Sequence, residues 1–435
     1  MAPSGPEPDD PRVRRSAHGD PLTLFLEPRR RTRTGTRVPA RPFESGEHIW
    51  IGSSGAELAC RDLRADGKLF DRTMFLSIKR RRTDDRLSYG ELVALSGDFY
   101  GSPNAFYDEE PAALPWLWED NDLSDLREIF AEELAWIEAR QRGRGGEAYP
   151  DNNLRMAWNA KSYIELALDN TAHFGWHNVL AYARHHETAL DLARRAHGHE
   201  DDTWRRGLLT NAFADHFLTD GFAAGHVRVP RAEIRAWGER RGYSEKLVGA
   251  LSKLLHDQDG HVSSLHSAEE AGREQTDGLR VTNAAGASWF TFCDGQLFLP
   301  PGAAQSPAVA TPVRAVAESV KELLLAWREG ADPAGAFAAT THVPFPHPQA
   351  PFLIEKFTSA MPAAQFDRLV ESVNWYSKVP WIGPGLETEH VRALLDELPN
   401  LMDDFRRRVA ADVAANPMIA RRVAAGYLDG FRRVA

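Results

Sequence analysis

The stretch Asn211-Ala-Phe-Ala-Asp215-His216-Phe-Leu-Thr-Asp220-Gly-Phe-Ala-Ala-Gly-His226 constrains this chain more than any other. It sets His216 and Asp220 four residues apart and His226 six residues further on. On a helix over 203–220 the first two side chains stack on one face, where both can grip one cation. His226 would fall about 80° away from His216 if that helix continued. Gly221 and Gly225 leave the chain free to bend there. A bend lets Asp220 turn one carboxylate oxygen to each of two neighbouring metal ions. Phe213 and Phe217 flank the pair on an apolar face, which directs the site inward rather than to solvent.

Nitrogen and oxygen ligands are the ones this composition supplies. The only two cysteines of the 435 residues, Cys60 and Cys293, stand at no zinc-thiolate spacing and cannot form a disulfide framework. A formal charge of −10 argues against a chain that coats nucleic acid, so no stable nucleic-acid partner is expected. Apolar content of 43% and charged content of 26% suit a soluble globular chain, long enough for one large core or two modest ones. No run approaches the roughly 18–20 apolar residues that a membrane span needs. The N-terminus lacks the cationic start and apolar core of a secretory signal. The expectation is a cytoplasmic protein, or one exported without a recognisable N-terminal signal peptide.

Residues 1–43 read as a Pro- and Arg-rich, partly disordered arm, with nine Arg against Asp20 and Glu27 between Pro11 and Pro42. Such an arm could also make peripheral contact with an anionic membrane, and Leu22-Thr-Leu-Phe-Leu26 is a candidate strand within it. Residues 44–299 read as the histidine-bearing domain, mostly helical. Ser88-Tyr-Gly-Glu91 is a capping box opening a helix through Leu95. Helical periodicity recurs over 122–141, 176–196, 203–220 and 246–255. Residues 300–312 read as a Pro- and Ala-rich linker, and 313–435 as a helical C-terminal module. The expected fold class is all-α.

Eleven of the sixteen histidines fall between His173 and His266. His185, His186, His197 and His199 sit among Arg, Glu and Asp and read as an exposed face rather than ligands. His177, one turn from His173, stays open. A single His-x3-Asp pair is common by chance; an ordered set is a stronger signal. That set runs Glu47-His48-Ile-Trp50, Leu95-Ser-Gly-Asp98-Phe-Tyr100, Asn170-Thr-Ala-His173, the 216/220/226 triplet, and Leu255-His256-Asp257-Gln-Asp259-Gly260. Together these segments resemble the zinc-dependent phospholipase C family, whose all-helical fold is shared with zinc-dependent single-strand-specific nucleases. The resemblance runs from about Glu44 to Leu299, and the triplet matches without a gap.

The resemblance implies a set of two or three Zn2+ ions. Asp98, His173, His216 and Asp220 would hold one, His226 and His256 a second, and His48 a third that shares Asp220. Two departures stand out. In the family the third metal is bound by an N-terminal Trp, whereas 47 residues precede His48 here, leaving Glu44 or Glu47 as substitutes. Some members also place a Glu four residues after the equivalent of His256, where this chain has Gly260. Asp259 is the preferred replacement, with Asp257 and the pair His266-x3-Glu270 as alternatives.

The implied activity is phosphodiester hydrolysis by metal-activated water, with Asp98 as the catalytic residue that orients or deprotonates it. The expected substrate is a glycerophospholipid, split into diacylglycerol and a phosphorylated head group. Phe99, Tyr100, Tyr107 and Trp176 are candidates to wall in a quaternary ammonium or to stack a base, with plain core packing weighted equally. The competing readings are a zinc nuclease or other small-phosphodiester hydrolase, and a non-catalytic, zinc-stabilised helical binding protein.

Overall fold

The computed structural model describes residues 13–15, 24–26, 45–79, 86–108, 123–144, 149–150, 152, 155–156, 166, 170–259, 278–298, 303–358 and 386–434. The chain is mostly helical, with a few short strands. Helix α1 spans Ser45–Ala65, α2 Tyr89–Leu95, α3 Pro103–Asp108 and α4 Leu123–Gln141. Helices α5 (Trp176–Ala196) and α6 (Asp202–Asp220) form a tightly packed hairpin. The short α7 (Ala224–Arg228) is followed by α8 (Arg231–Arg240) and α9 (Glu245–Asp259). Then come α10 (Pro307–Glu329), α11 (Leu353–Thr358), α12 (Thr388–Ala415), α13 (Pro417–Arg422) and α14 (Ala425–Val434).

Local chemistry explains the start of the helices that matter most. Ser88 and Glu91 close the expected capping box on α2, each satisfying the other's backbone N–H. Arg127 from α4 donates to the same Glu91 carboxylate at 2.8 Å. Asp201 caps α6 by accepting from the Trp204 amide at 3.0 Å. The first turn of α1 is tied down by Glu133 of α4, whose Oε2 accepts from the Gly46 amide at 2.7 Å. Helix α1 then lies against α2 and α10, and α10 packs on both α5 and α6. This places α6, with fifteen buried residues, at the centre of the core.

Two short antiparallel pairs, β1 (Val13–Arg15) with β2 (Leu24–Leu26) and β3 (Ile78–Lys79) with β4 (Arg86–Leu87), precede a three-stranded antiparallel sheet in the order β6-β5-β7, made of β5 (Leu279–Asn283), β6 (Ser288–Thr291) and β7 (Pro344–Pro346). Val281 faces Trp289 on one side and Pro346 on the other. The sheet was not expected from helical periodicity. Its signal was the period-two alternation of Leu279, Val281 and Asn283, buried in turn.

The chain differs from its expected partition after residue 299. The expected linker 300–312 gives way at Pro307 to α10, because proline suits the first turn of a helix, where its missing N–H has no partner to lose. Nor do α12 to α14 stand apart from the rest. Phe405 of α12 lies against Gly175, Arg408 Nε donates to Glu233 of α8 at 2.7 Å, and Phe345 of β7 packs on Tyr427 of α14. The arm contributes one described feature, an antiparallel pairing of Val13–Arg15 with Leu24–Leu26, which overlaps the candidate strand. Residues 359–385 of the expected helical C-terminal module lie outside the described residues. Among the described residues no helix is long and apolar enough to cross a membrane.

Candidate metal centre

Seven of the eight expected ligands come together, and they do so in two adjoining groups. The first joins two overlapping triads, His48–Asp98–His216 and His173–His216–Asp220, which share His216. His173 Nδ1 lies 2.8 Å from Asp220 Oδ2 and 3.2 Å from His216 Nε2, while His216 Nε2 is 3.6 Å from the same carboxylate oxygen. The other oxygen, Asp220 Oδ1, is 3.5 Å from His48 Nε2. Asp98 Oδ1 stands 3.9 Å from both His173 Nδ1 and His216 Nε2. The expectation that Asp220 faces two ways therefore matches the geometry, with one oxygen towards His48 and the other towards His173 and His216.

The helix break that makes this arrangement is not the one the glycines suggested. Gly221 keeps a helical conformation at φ −57, and the turn is made by Phe222 and Ala223, whose amides bond to the Thr219 and Asp220 carbonyls. The Ala224 amide is then captured by the Phe292 carbonyl at 2.8 Å, which starts α7 and turns His226 inward. Gly225 serves close approach. A Cβ at this position would sit 2.3 Å from the His256 ring.

His226 and His256 make the second group, and its acid is Asp294. Both Nε2 atoms lie 3.0 Å from Asp294 Oδ2. Asp259, the expected acid, points elsewhere: it is fully buried in an ion pair, accepting from Arg228 Nε at 2.9 Å and Nη2 at 2.7 Å. Helix α9 continues through Asp259, which puts the residue beside His256 on the helix surface, but the Arg228 guanidinium takes both of its carboxylate oxygens. Asp257 accepts from His256 Nδ1 at 2.9 Å and orients that ring. His266 and Glu270 lie outside the described residues, as does Glu44. Glu47 accepts backbone N–H groups rather than facing the histidines.

Most of the rings carry a partner on the nitrogen that faces away from the group. His216 Nδ1 donates to the Val93 carbonyl at 3.0 Å, and His226 Nδ1 donates to the His173 carbonyl at 2.7 Å. His48 Nδ1 donates to Thr219 Oγ1 at 2.7 Å, whose hydroxyl is directed to the Asp215 and His216 carbonyls. An acceptor at Nδ1 fixes the tautomer that leaves the Nε2 lone pair turned inward, the arrangement that metal-binding imidazoles need. His173 is turned the other way and offers Nδ1.

Charge in the centre is strongly redistributed. Burial alone would raise the carboxyl of Asp294, yet His226 and His256 outweigh it and hold it well below the ordinary range. Burial pulls His226 down, but Asp294 and Asp220 carry it up to about 9. Asp220 is likewise held low against burial by His216, His173 and His226. Asp98 goes the other way, pushed well above the usual carboxylate range by burial and by Asp220. Burial also lowers His48 and His216, keeping them neutral near pH 7.

The donor set fits zinc. It is imidazole and carboxylate throughout, with no cysteine sulfur in the three triads found among the described residues. The separations of 2.8, 3.2 and 3.6 Å among His173, His216 and Asp220 bracket the edge of a tetrahedron with 2.0–2.1 Å bonds, about 3.3 Å. Two ring nitrogens turned towards each other, as His173 Nδ1 and His216 Nε2 are at 3.2 Å, make a poor contact unless a proton or cation lies between them.

The aromatic candidates are core residues. Phe99 packs edge-on against Phe130 and Tyr100 lies over Phe106. The Tyr107 hydroxyl reaches the Asp202 carbonyl, and Trp176 Nε1 donates to Asp412 at 3.1 Å while its ring stacks on Tyr427. All four are buried. Of the histidines read as non-ligands, His197 and His199 are exposed. His186 is instead fully buried between Asn211 and Glu322, and His185 stacks on Phe217.

Asp294 was missed by sequence reasoning because it lies 38 positions after His256, beyond any helical spacing. The signal that could have found it is the alternating run into Asp294-Gly295, a turn signature following a strand. Comparison of the chain with protein-family models, with curated proteins and with solved structures finds no match.

Proposed function

We propose that this chain is a zinc-dependent phosphodiester hydrolase of the phospholipase C type, on a fold related to those phospholipases and to single-strand-specific zinc nucleases. The observation that carries the reading is residue 173, which joins the two groups: its ring belongs to the first and its carbonyl accepts from His226 of the second at 2.7 Å. Two ligand sets coupled through one residue favour a multinuclear centre over two unrelated structural sites.

His48, Asp98, His173, His216 and Asp220 would hold zinc on one side, and His226, His256 and Asp294 on the other. Bound zinc supplies a Lewis acid for phosphate oxygens and a water that loses its proton near neutral pH. The chain's residues then do the rest. The acceptors at Nδ1 of His48, His216, His226 and His256 hold the rings in position. Asp98, 3.9 Å from both His173 Nδ1 and His216 Nε2, would take the proton from the attacking water and return it to the departing alkoxide. The chain's net charge of −10 disfavours a long polyanion, which supports a lipid phosphodiester over a polynucleotide.

The test is elemental analysis of the purified chain, together with turnover of phosphatidylcholine and of single-stranded DNA, each with and without chelator. Two or three zinc per chain and chelator-sensitive release of diacylglycerol and phosphocholine are expected. Release of 5′-nucleotides without phosphocholine moves the assignment to the nuclease side. About one zinc, lost thermal stability on chelation and no turnover of either substrate would leave the non-catalytic binding protein. Asp220→Asn should lower zinc content and cut turnover by more than about 100-fold, since replacing even the partners of metal ligands costs 10–100-fold.

A further inference from the structure

Glu47 immediately precedes a residue of the first group, yet it acts on the second. It is buried at the first turn of α1, and each of its oxygens accepts a backbone N–H from the segment that carries Asp294. The Gly295 amide donates to Oε2 at 3.0 Å and the Leu297 amide to Oε1 at 3.1 Å. Between them the segment makes a tight turn, with the Gln296 amide on the Cys293 carbonyl at 3.0 Å and Gly295 at φ +69, a conformation that favours glycine. The Cys293 thiol donates to the His256 carbonyl at 3.2 Å, so the turn is pinned from the α9 side as well.

The clamp gives α1 a double role, with His48 facing the first group while Glu47 holds the turn that carries the last ligand of the second.

We infer that Glu47 is the positioning residue of the second metal site: by clamping the Gly295 and Leu297 amides it holds Asp294 at the distance where His226 and His256 can share a cation with it. The inference rests on the metal-centre reading above and adds a residue that contacts no metal. Its test is a zinc competition titration against a chromogenic chelator, run on the whole chain and on Glu47→Gln, with thermal unfolding of the zinc-free and zinc-loaded forms. Gln offers one oxygen in place of two and turns an amide N–H donor towards a second N–H.

The expected result is that one class of zinc in the variant weakens by about 10–100-fold, as for other groups that orient metal ligands. The remaining zinc keeps its wild-type affinity, and the zinc-induced rise in melting temperature shrinks. Unchanged affinity of every zinc overturns the inference. So does equal weakening of all of them, or a lower zinc-free melting temperature with an undiminished zinc-induced rise, which would mark a merely structural cap. Should Glu47→Gln fail to fold, Glu47→Asp, one methylene shorter, takes its place in the same titration with the same outcomes. A wild-type chain that takes up no zinc overturns the functional reading and this inference together, whereas normal wild-type binding with an indifferent variant overturns this inference alone.

Discussion

Asp259 is a fully buried carboxylate and Asp294 a largely buried one, yet the first neutralises a guanidinium and the second faces two imidazoles. Their substitutions should separate stability from metal binding. Asp259→Asn leaves Arg228 as an uncompensated buried cation, at a cost of about 3–5 kcal/mol, with zinc stoichiometry unchanged in whatever fraction stays folded. Asp294→Asn should lower zinc content and leave the zinc-free melting temperature near that of the wild type. The reverse pattern in paired calorimetry and metal analysis would return the ligand role to Asp259. Glu133 supports a second prediction at this scale. Burial pushes its carboxyl up to about 7 in the folded chain from an ordinary value of 4.5. The folded state therefore binds the extra proton between these values, and the stability this contributes is present below pH 4.5 and lost as pH rises through about 7. Urea unfolding of the zinc-free chain should show wild type losing about 1.4 kcal/mol per pH unit across that window relative to Glu133→Gln. The variant keeps an oxygen for the Gly46 amide, and parallel curves would refute the assignment.

Helices were legible wherever their determinants are local. The box at Ser88 and Glu91, the spacing of Leu126, Ile129, Phe130 and Ile137 on α4, and the 216/220 pair on α6 each depend on residues within a turn or two. The arrangement of Asp294 depends on β5 pairing with β6 and on a clamp from residue 47, contacts that no window of sequence contains. The same logic explains the aromatics. Phe99 and Trp176 are adjacent in the chain to Asp98 and near His173, but a side chain's direction is set by its element, and theirs lead into the core. Element packing also explains Gly225 of α7, which lets the His256 ring of α9 come close. Gly225→Ala has no room for its methyl group unless α7 and α9 separate, so His256 should draw away from Asp294. One class of zinc should be lost while helicity by circular dichroism stays near wild type. Full retention of zinc would mean that the two helices slide apart without cost to the site.

At the scale of the whole molecule, the two ligand groups are supported from behind by the last fifty residues of the chain. Helix α12 holds the segment after His173: Phe405 fills the space against Gly175, and Asp412 accepts the Trp176 indole N–H. Helix α14 packs on β7, the partner of β5, so it backs the sheet from which Asp294 emerges. Arg422 of α13, fully buried, ties Glu187 of α5 to Asp332 beyond the end of α10. A separable C-terminal module would leave the metal centre intact when removed; a shared core would not. A chain ending at residue 385 exposes the apolar faces that Val391, Leu394, Leu398, Leu401, Phe405 and Phe431 now cover, and burial of one such side chain contributes about 1.5–3 kcal/mol. Summed over these residues the loss matches or exceeds the 5–15 kcal/mol by which domains are typically stable. The truncated chain should therefore be insoluble or melt without a cooperative transition, and it should hold no zinc of either class. Recovery of a soluble monomer with a sharp melt and the full zinc complement would show instead that residues 45–358 fold by themselves and that the C-terminal helices only rest on them.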